Sequence, residues 1–154
     1  MLTADLRAEI AALAAHAPTR RAACIDALKS VQARLRYVDD AALAETAALL
    51  DMPPAELDEV ATFYNLIFRR PVGETVLLLC NSITCWMLGA EERSAHICAR
   101  LGIKPGGTSA DGRFTLLPIV CLGHCDHAPA MLAGETLIGD VTMAQLDALL
   151  EKQE

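Results

Sequence analysis

Apolar positions recur at helical intervals through the first seventy residues. Leu6, Ile10 and Leu13 form one set, Cys24, Leu28, Val31 and Leu35 a second, and Leu43, Ala47 and Leu50 a third, spaced three or four apart as one face of a helix requires. Pro18 and Thr19 separate the first helix from the second. Val38, Asp39 and Asp40 separate the second from the third, and either Asp can accept orphan amide hydrogens at a helix start. Pro53 and Pro54 open a fourth helix, expected to reach about Phe68, because a first helical position has no use for the N–H that proline lacks. Beyond residue 72 the pattern changes. Residues 75–80 are a short apolar run with a β-branched start, suited to a buried strand that ends on a cysteine. Residues 86–101 read as a helix stopped by Gly102, and 114–120 as a second apolar run that Pro118 restricts to an edge or irregular strand. Residues 130–132 and 136–138 flank Ala133, Gly134 and Glu135 as a hairpin, and 142–150 form a closing helix capped by Thr142 or Asp140.

Composition sharpens the division. All nine glycines lie between Gly73 and Gly139, whereas 18 of the 27 alanines fall within residues 1–70, so a close-packed helical region precedes a turn-rich one. The expected fold is α+β: a helical bundle over 1–72, then a mixed α/β domain over 73–154. Apolar residues at 53% against charged residues at 21% supply enough surface for a core. Aromatics at 4% argue against an all-β sandwich. A net charge of −7 disfavours nonspecific binding to nucleic acid or anionic lipid. No apolar run approaches the roughly 20 residues a bilayer requires, and the acidic opening MLTADLRAEI does not read as a secretory signal. The expected compartment is therefore reducing, where six cysteines read as thiols or metal ligands before disulfides.

Four of those cysteines form two close pairs, Cys80-x4-Cys85 and Cys121-Leu-Gly-His-Cys125, each just after a predicted strand. Side by side, the two strand-end loops would bring four thiolates to one edge of a small sheet, which is the ligand set of a [2Fe–2S] rhomb. Thiolate is a soft donor suited to iron–sulfur clusters or zinc. Asn81, Ser82, Thr84 and Gly123 permit tight turns whose amides can point at the sulfurs. A four-thiolate zinc site and chance clustering stay open, although zinc motifs more often use C-x2-C knuckles. A thioredoxin-type dithiol would need C-x-x-C, which neither pair has. Cys24 and Cys98, on apolar helix faces, read as core residues. With four cysteines available, His124 and His127 are surplus as ligands and read as loop or supporting residues. Neither G-x-G-x-x-G nor G-x-x-x-x-G-K-[ST] occurs, and no hydrolytic triad can be assembled. Thr62-Phe63-Tyr64 and Phe68-Arg69-Arg70 combine aromatic and Arg residues of the kind enriched at interfaces, so docking is the expected role of this region, with core packing the alternative for Phe63 and Phe68. Trp86, directly after a ligand, reads as a cover over the site, with a partner contact as the alternative.

Cys80-x4-Cys85 and Cys121-Leu-Gly-x-Cys125-Asp-x-Ala-Pro129, preceded by Ala61-Thr-Phe-Tyr64 and Arg70-Pro-Val-Gly73, resemble the family of thioredoxin-like [2Fe–2S] ferredoxin subunits of bacterial NADH:quinone oxidoreductase, respiratory complex I. The likeness extends to Leu101-Gly-Ile-Lys-Pro-Gly106, to Asp111-Gly-Arg-Phe-Thr-Leu-Leu-Pro118 and to Ile138-Gly-Asp140. It implies a helical bundle followed by a thioredoxin-like domain, one [2Fe–2S] cluster held by Cys80, Cys85, Cys121 and Cys125, and no catalytic site beyond electron transfer. It further implies two partners, a flavin subunit that binds FMN and NADH and a large iron–sulfur subunit. The assembly would be peripheral to the inner membrane on its cytoplasmic side. Related subunits serve soluble NAD-linked hydrogenases and formate dehydrogenases, and residues 111–118 resemble the respiratory branch more closely.

Overall fold

Thr3 starts the chain's first helix by accepting the Leu6 amide on its hydroxyl at 3.3 Å, and α1 then runs Ala4–His16. The structure is a computed structural model that describes residues 1–151. Packing groups the chain into two compact units, Met1–Pro71 and Val72–Glu154.

In the first unit a single 3-10 turn, Arg20–Ala23, leads into α2, Cys24–Leu35. Arg36 closes α2 in the left-handed region at φ 72°. Asp39 caps α3, Asp40–Leu49, by accepting the Ala42 amide at 2.7 Å. Pro54 opens α4, Pro54–Phe63. The helices meet over Leu6, Ile10, Leu28, Val31, Leu43, Leu50 and Leu57, and the fully buried Ala27, Ala42 and Ala47 let backbones approach closely. Cys24 packs against this core, as its helical position predicts.

Helix α4 ends at Phe63, five residues short of the expected Phe68. The backbone beyond it is claimed by other partners. Gln32 donates to the Leu66 carbonyl at 2.8 Å and accepts from the Phe68 amide at 2.6 Å, and the Val38 amide donates to the Phe68 carbonyl at 2.7 Å. Arg69 then ties the segment to Asp58, Asp40 and the Val38 carbonyl. A helix through 64–68 would forfeit those bonds. Phe63 is left 79% exposed and Phe68 half-buried.

The second unit is built on a four-stranded sheet in the order β2-β1-β3-β4. Its strands are β1 Thr75–Cys80, β2 Phe114–Ile119, β3 Met131–Ala133 and β4 Thr136–Ile138. β1 runs parallel to β2 and antiparallel to β3, with Cys80 opposite Ile119 and Leu79 opposite Met131. Pro118 is tolerated because β2 lies at the edge, where a missing N–H costs no ladder bond on the outer side. β3 and β4 form the expected hairpin. Leu77, Leu79, Phe114, Leu116 and Met131 of the sheet share a core with Ile97, Val141, Leu146 and Leu150, and Cys98 packs at its margin.

The single helix expected over 86–101 is two helices, α5 Ile83–Met87 and α6 Ala90–Leu101. Gly89, at φ 89°, turns the chain between them. The carbonyls of Leu88 and Gly89 accept from the Arg93 guanidinium at 3.1 and 2.8 Å, and the Gly89 carbonyl also accepts the Arg93 amide at 3.3 Å, so the backbone at the break is satisfied. The closing helix α7 spans Met143–Glu151, and Thr142 caps it by accepting the Gln145 amide at 3.2 Å.

Candidate metal centre

Parallel pairing of β1 and β2 brings their C-terminal ends to the same edge of the sheet. Cys80 is the last residue of β1; its amide donates to the Ala130 carbonyl at 3.1 Å, and the Asn81 amide donates to the Ile119 carbonyl at 3.0 Å. The chain then turns into α5, which carries Cys85 inward to 2% exposure. Cys121 follows β2 by two residues, and Cys125 begins a short 3-10 turn, Cys125–His127. Cys80 and Cys85 are therefore buried, while Cys121 and Cys125 are exposed.

The four thiols stand as two neighbouring pairs. The sulfurs of Cys121 and Cys125 are 3.5 Å apart, near the ~3.8 Å that tetrahedral coordination with sulfur bonds of about 2.3 Å sets between two ligands. Cys80 and Cys85 are within hydrogen-bonding reach of one another. The pairs also act on each other, since Cys85 and Cys80 both lie close enough to Cys125 for their charges to interact. Among the described residues no three His, Cys, Asp or Glu side chains close around a single point as one metal ion requires.

Donors and like charges divide the thiols electrostatically. The Gly123 amide, 3.3 Å from the Cys121 sulfur, and the Cys125 thiol lower the pKa of Cys121 below the usual thiol value. Cys125 is pushed up by its bond to Cys121 and by the charges of Cys121 and Cys80, against a lowering contact from the Thr84 hydroxyl. Burial pushes Cys85 up most, with Cys80 and Cys125 adding to it, against the Ala130 amide. Cys85 and Cys125, both raised in part by neighbouring thiol charge, resist ionising beside the other thiols without a positive centre among them. A di-iron core bound there would supply that charge, and two sulfur pairs match two ligands per iron. The donor set thus fits the cluster expected from the spacing.

His124 and His127 lie beside the pairs with ring centres 4.8 Å apart. His127 Nδ1 donates to Asp140 at 2.7 Å, which together with the Asp126 charge holds its pKa above the ordinary imidazole value. Trp86 is half exposed and lines a cavity of about 250 Å³ with Cys80, Leu79, Glu91 and Pro118. Ile83, Trp86, Met87, Leu88 and Val120 are exposed apolar residues next to the cysteine loops. Cysteine spacing points to none of the Ala130 amide, the Thr84 hydroxyl or the Asp140 carboxylate, although Thr84 stands among the turn residues of its loop and Asp140 closes the stretch Ile138-Gly-Asp140.

A family model described as thioredoxin-like [2Fe–2S] ferredoxin matches residues 10–154. The chain is 44% identical over 136 residues to the E subunit of NADH-quinone oxidoreductase from Pseudomonas aeruginosa, covering 88% of this chain and 82% of that protein. It is 43% identical over 137 residues to the Escherichia coli K12 counterpart of the same name, covering 89% and 82%. The E 2 form of this subunit from Rhizobium meliloti is 40% identical over 146 residues, covering 95% and 87%. Among solved structures, an NAD+-reducing [NiFe]-hydrogenase in the air-oxidized state superposes with a TM-score of 0.73 at 30% identity. That match covers 84% of this chain but only 22% of the hydrogenase chain.

Proposed function

The chain belongs to the thioredoxin-like [2Fe–2S] ferredoxin family, and from that premise we propose that Cys80, Cys85, Cys121 and Cys125 hold one [2Fe–2S] cluster and that the protein is the electron-carrying subunit of the NADH-oxidising module of an NADH:quinone oxidoreductase. The observation that carries the ligand assignment is the meeting of two thiol pairs at one sheet edge, with Cys121 and Cys125 3.5 Å apart. When bound, the cluster supplies a one-electron redox change, the complement of a flavin that takes two electrons as hydride. The chain's own part is to hold four thiolates, to direct the Gly123 and Ala130 amides at two of them, and to bury the Cys80 and Cys85 side.

The partners we assign are a flavin subunit that binds FMN and NADH and a large iron–sulfur subunit. The exposed apolar residues beside the cysteine loops support docking at that edge, because electron exchange needs the donor close and exposed apolar clusters mark protein contacts. No helix among the described residues is long and apolar enough to cross a membrane. We place the protein on the cytoplasmic side, peripheral to the inner membrane through its complex. The equivalent role in a soluble NAD-linked hydrogenase or formate dehydrogenase is less well supported: identity reaches 40–44% with the quinone-linked subunits against 30% with the hydrogenase chain.

Anaerobic purification tests the assignment. The full chain is expected to be reddish-brown, with two irons and two inorganic sulfides and an EPR signal on reduction. Cys121→Ser should lose or strongly perturb that signal, whereas Cys98→Ser, at the margin of the core, should leave it intact. A colourless protein with one zinc and no sulfide, or equal damage from both substitutions, would overturn the ligand set.

A further inference from the structure

Neither cysteine loop is held in place by its own residues alone. Both reach the same three-residue corner, Gly139, Asp140 and Val141, which joins β4 to α7. On the Cys121–Cys125 side, Asp140 accepts from His127 Nδ1 at 2.7 Å and returns its own amide to the His127 carbonyl at 2.6 Å. A carboxylate can only accept, so Nδ1 carries the hydrogen in this pair. Gly139 presses so closely on the same loop that a Cβ there would stand 2.6 Å from His127 Cβ and 2.7 Å from His124 Nε2.

On the other side, the Val141 carbonyl accepts from Arg93 Nε. The same guanidinium holds the Leu88 and Gly89 carbonyls at 3.1 and 2.8 Å, immediately after α5, the helix that contains Cys85. The Val141 amide donates to the Pro129 carbonyl at 3.0 Å, one residue before the Ala130 amide that faces the Cys85 sulfur. Val141 is fully buried, so the corner is anchored in the core.

We propose that residues 139–141, with Arg93, form a strap that fixes the two cysteine pairs relative to one another, making Gly139, Asp140 and Arg93 positioning residues for the cluster. The inference rests on the reading that Cys80, Cys85, Cys121 and Cys125 are its ligands. Ligands held before binding lose little freedom on binding, so loosening either loop lets thiolates splay and opens the centre to competing chelators. Asp140 has φ 49°, a left-handed conformation that Gly and Asn adopt readily. Substitution at this position can therefore separate the side-chain bond from the backbone. Asp140→Gly keeps the backbone and removes the acceptor, whereas Asp140→Asn keeps both.

The test uses the full chain purified anaerobically with its cluster. Iron and sulfide are quantified in the unmodified protein first, and then the rate at which EDTA bleaches cluster absorbance is compared with the EPR g-values of the reduced form. Asp140→Gly and Gly139→Ala should bleach about 10-fold faster, the lower end of what removing a ligand-supporting partner costs, and should shift the g-values. Asp140→Asn should restore the original g-values and most of the retention. Should Gly139→Ala fail to fold, the Asp140 pair decides alone. Unchanged bleaching and g-values in Asp140→Gly, or equal loss in Asp140→Gly and Asp140→Asn, overturns the strap while the ligand set stands. Absence of iron and sulfide from the unmodified protein overturns both.

Discussion

Asp111 is an exposed residue whose carboxylate accepts from the Ser109 hydroxyl and from the Arg113 amide at 3.0 Å. Those donors favour the charged form, the Ser109 bond most, and hold its pKa below the ordinary carboxylate value. Since the folded value is depressed, the associated stability is present above the unfolded pKa of about 3.9 and is lost as pH falls through the folded one. Asp111→Asn should lower Tm at pH 7, with the difference shrinking as pH drops below that window; a carbon-detected NMR titration of Asp111 should move upward in Ser109→Ala. The turn is visible in the sequence as Asp111-Gly-Arg, but its hydrogen-bond partners are not. The cysteines divide in the same way. Spacing alone singles out Cys80, Cys85, Cys121 and Cys125, because two short repeats of a soft donor need no third dimension to be noticed. The Ala130 amide and Thr84 hydroxyl carry no such mark, since any residue has an amide and many have a hydroxyl.

Helices are legible where a capping residue and an apolar face coincide. Asp39 and Thr142 each cap the helix that follows them, at 2.7 and 3.2 Å. At each of the two misread boundaries a side chain bonds backbone groups at the break, one far along the chain in the first case and one only four and five residues on in the second. Gln32 does so beyond Phe63, and Arg93 does so at Leu88 and Gly89. Gly89 permits the second break through its φ of 89°, and a Cβ there would lie 2.6 Å from Arg93 Nη1. Gly89→Ala should therefore destabilise the chain by about 1–2 kcal/mol, the cost of a left-handed L-residue, as read from urea unfolding. An unchanged midpoint would show that Arg93 can withdraw without loss and that the break between α5 and α6 is not held by it.

For the molecule as a whole, the consequential feature is the exposed apolar surface beside the cysteine loops, where Met87 is 72% and Val120 71% exposed. If that edge meets the flavin subunit, Met87→Asp should cut co-purification of the FMN-containing partner by more than about 10-fold, as burying an unpaired charge in an interface does, while iron and sulfide stay at full occupancy. Partner recovery equal to the unmodified chain would move the docking surface elsewhere. By itself the sequence determined the α+β order, the division near residue 72 and the two cysteine pairs, because periodicity, glycine distribution and donor spacing are local properties. Only the tertiary structure decided that parallel pairing of β1 with β2 brings Cys80 and Cys121 to one edge, that Gln32 bonds the backbone beyond an early end of α4, and that a single corner at 139–141 reaches both loops. Those are contacts between residues distant in the chain, and they form when burying the sheet's apolar face between strands and helices settles which chain ends meet.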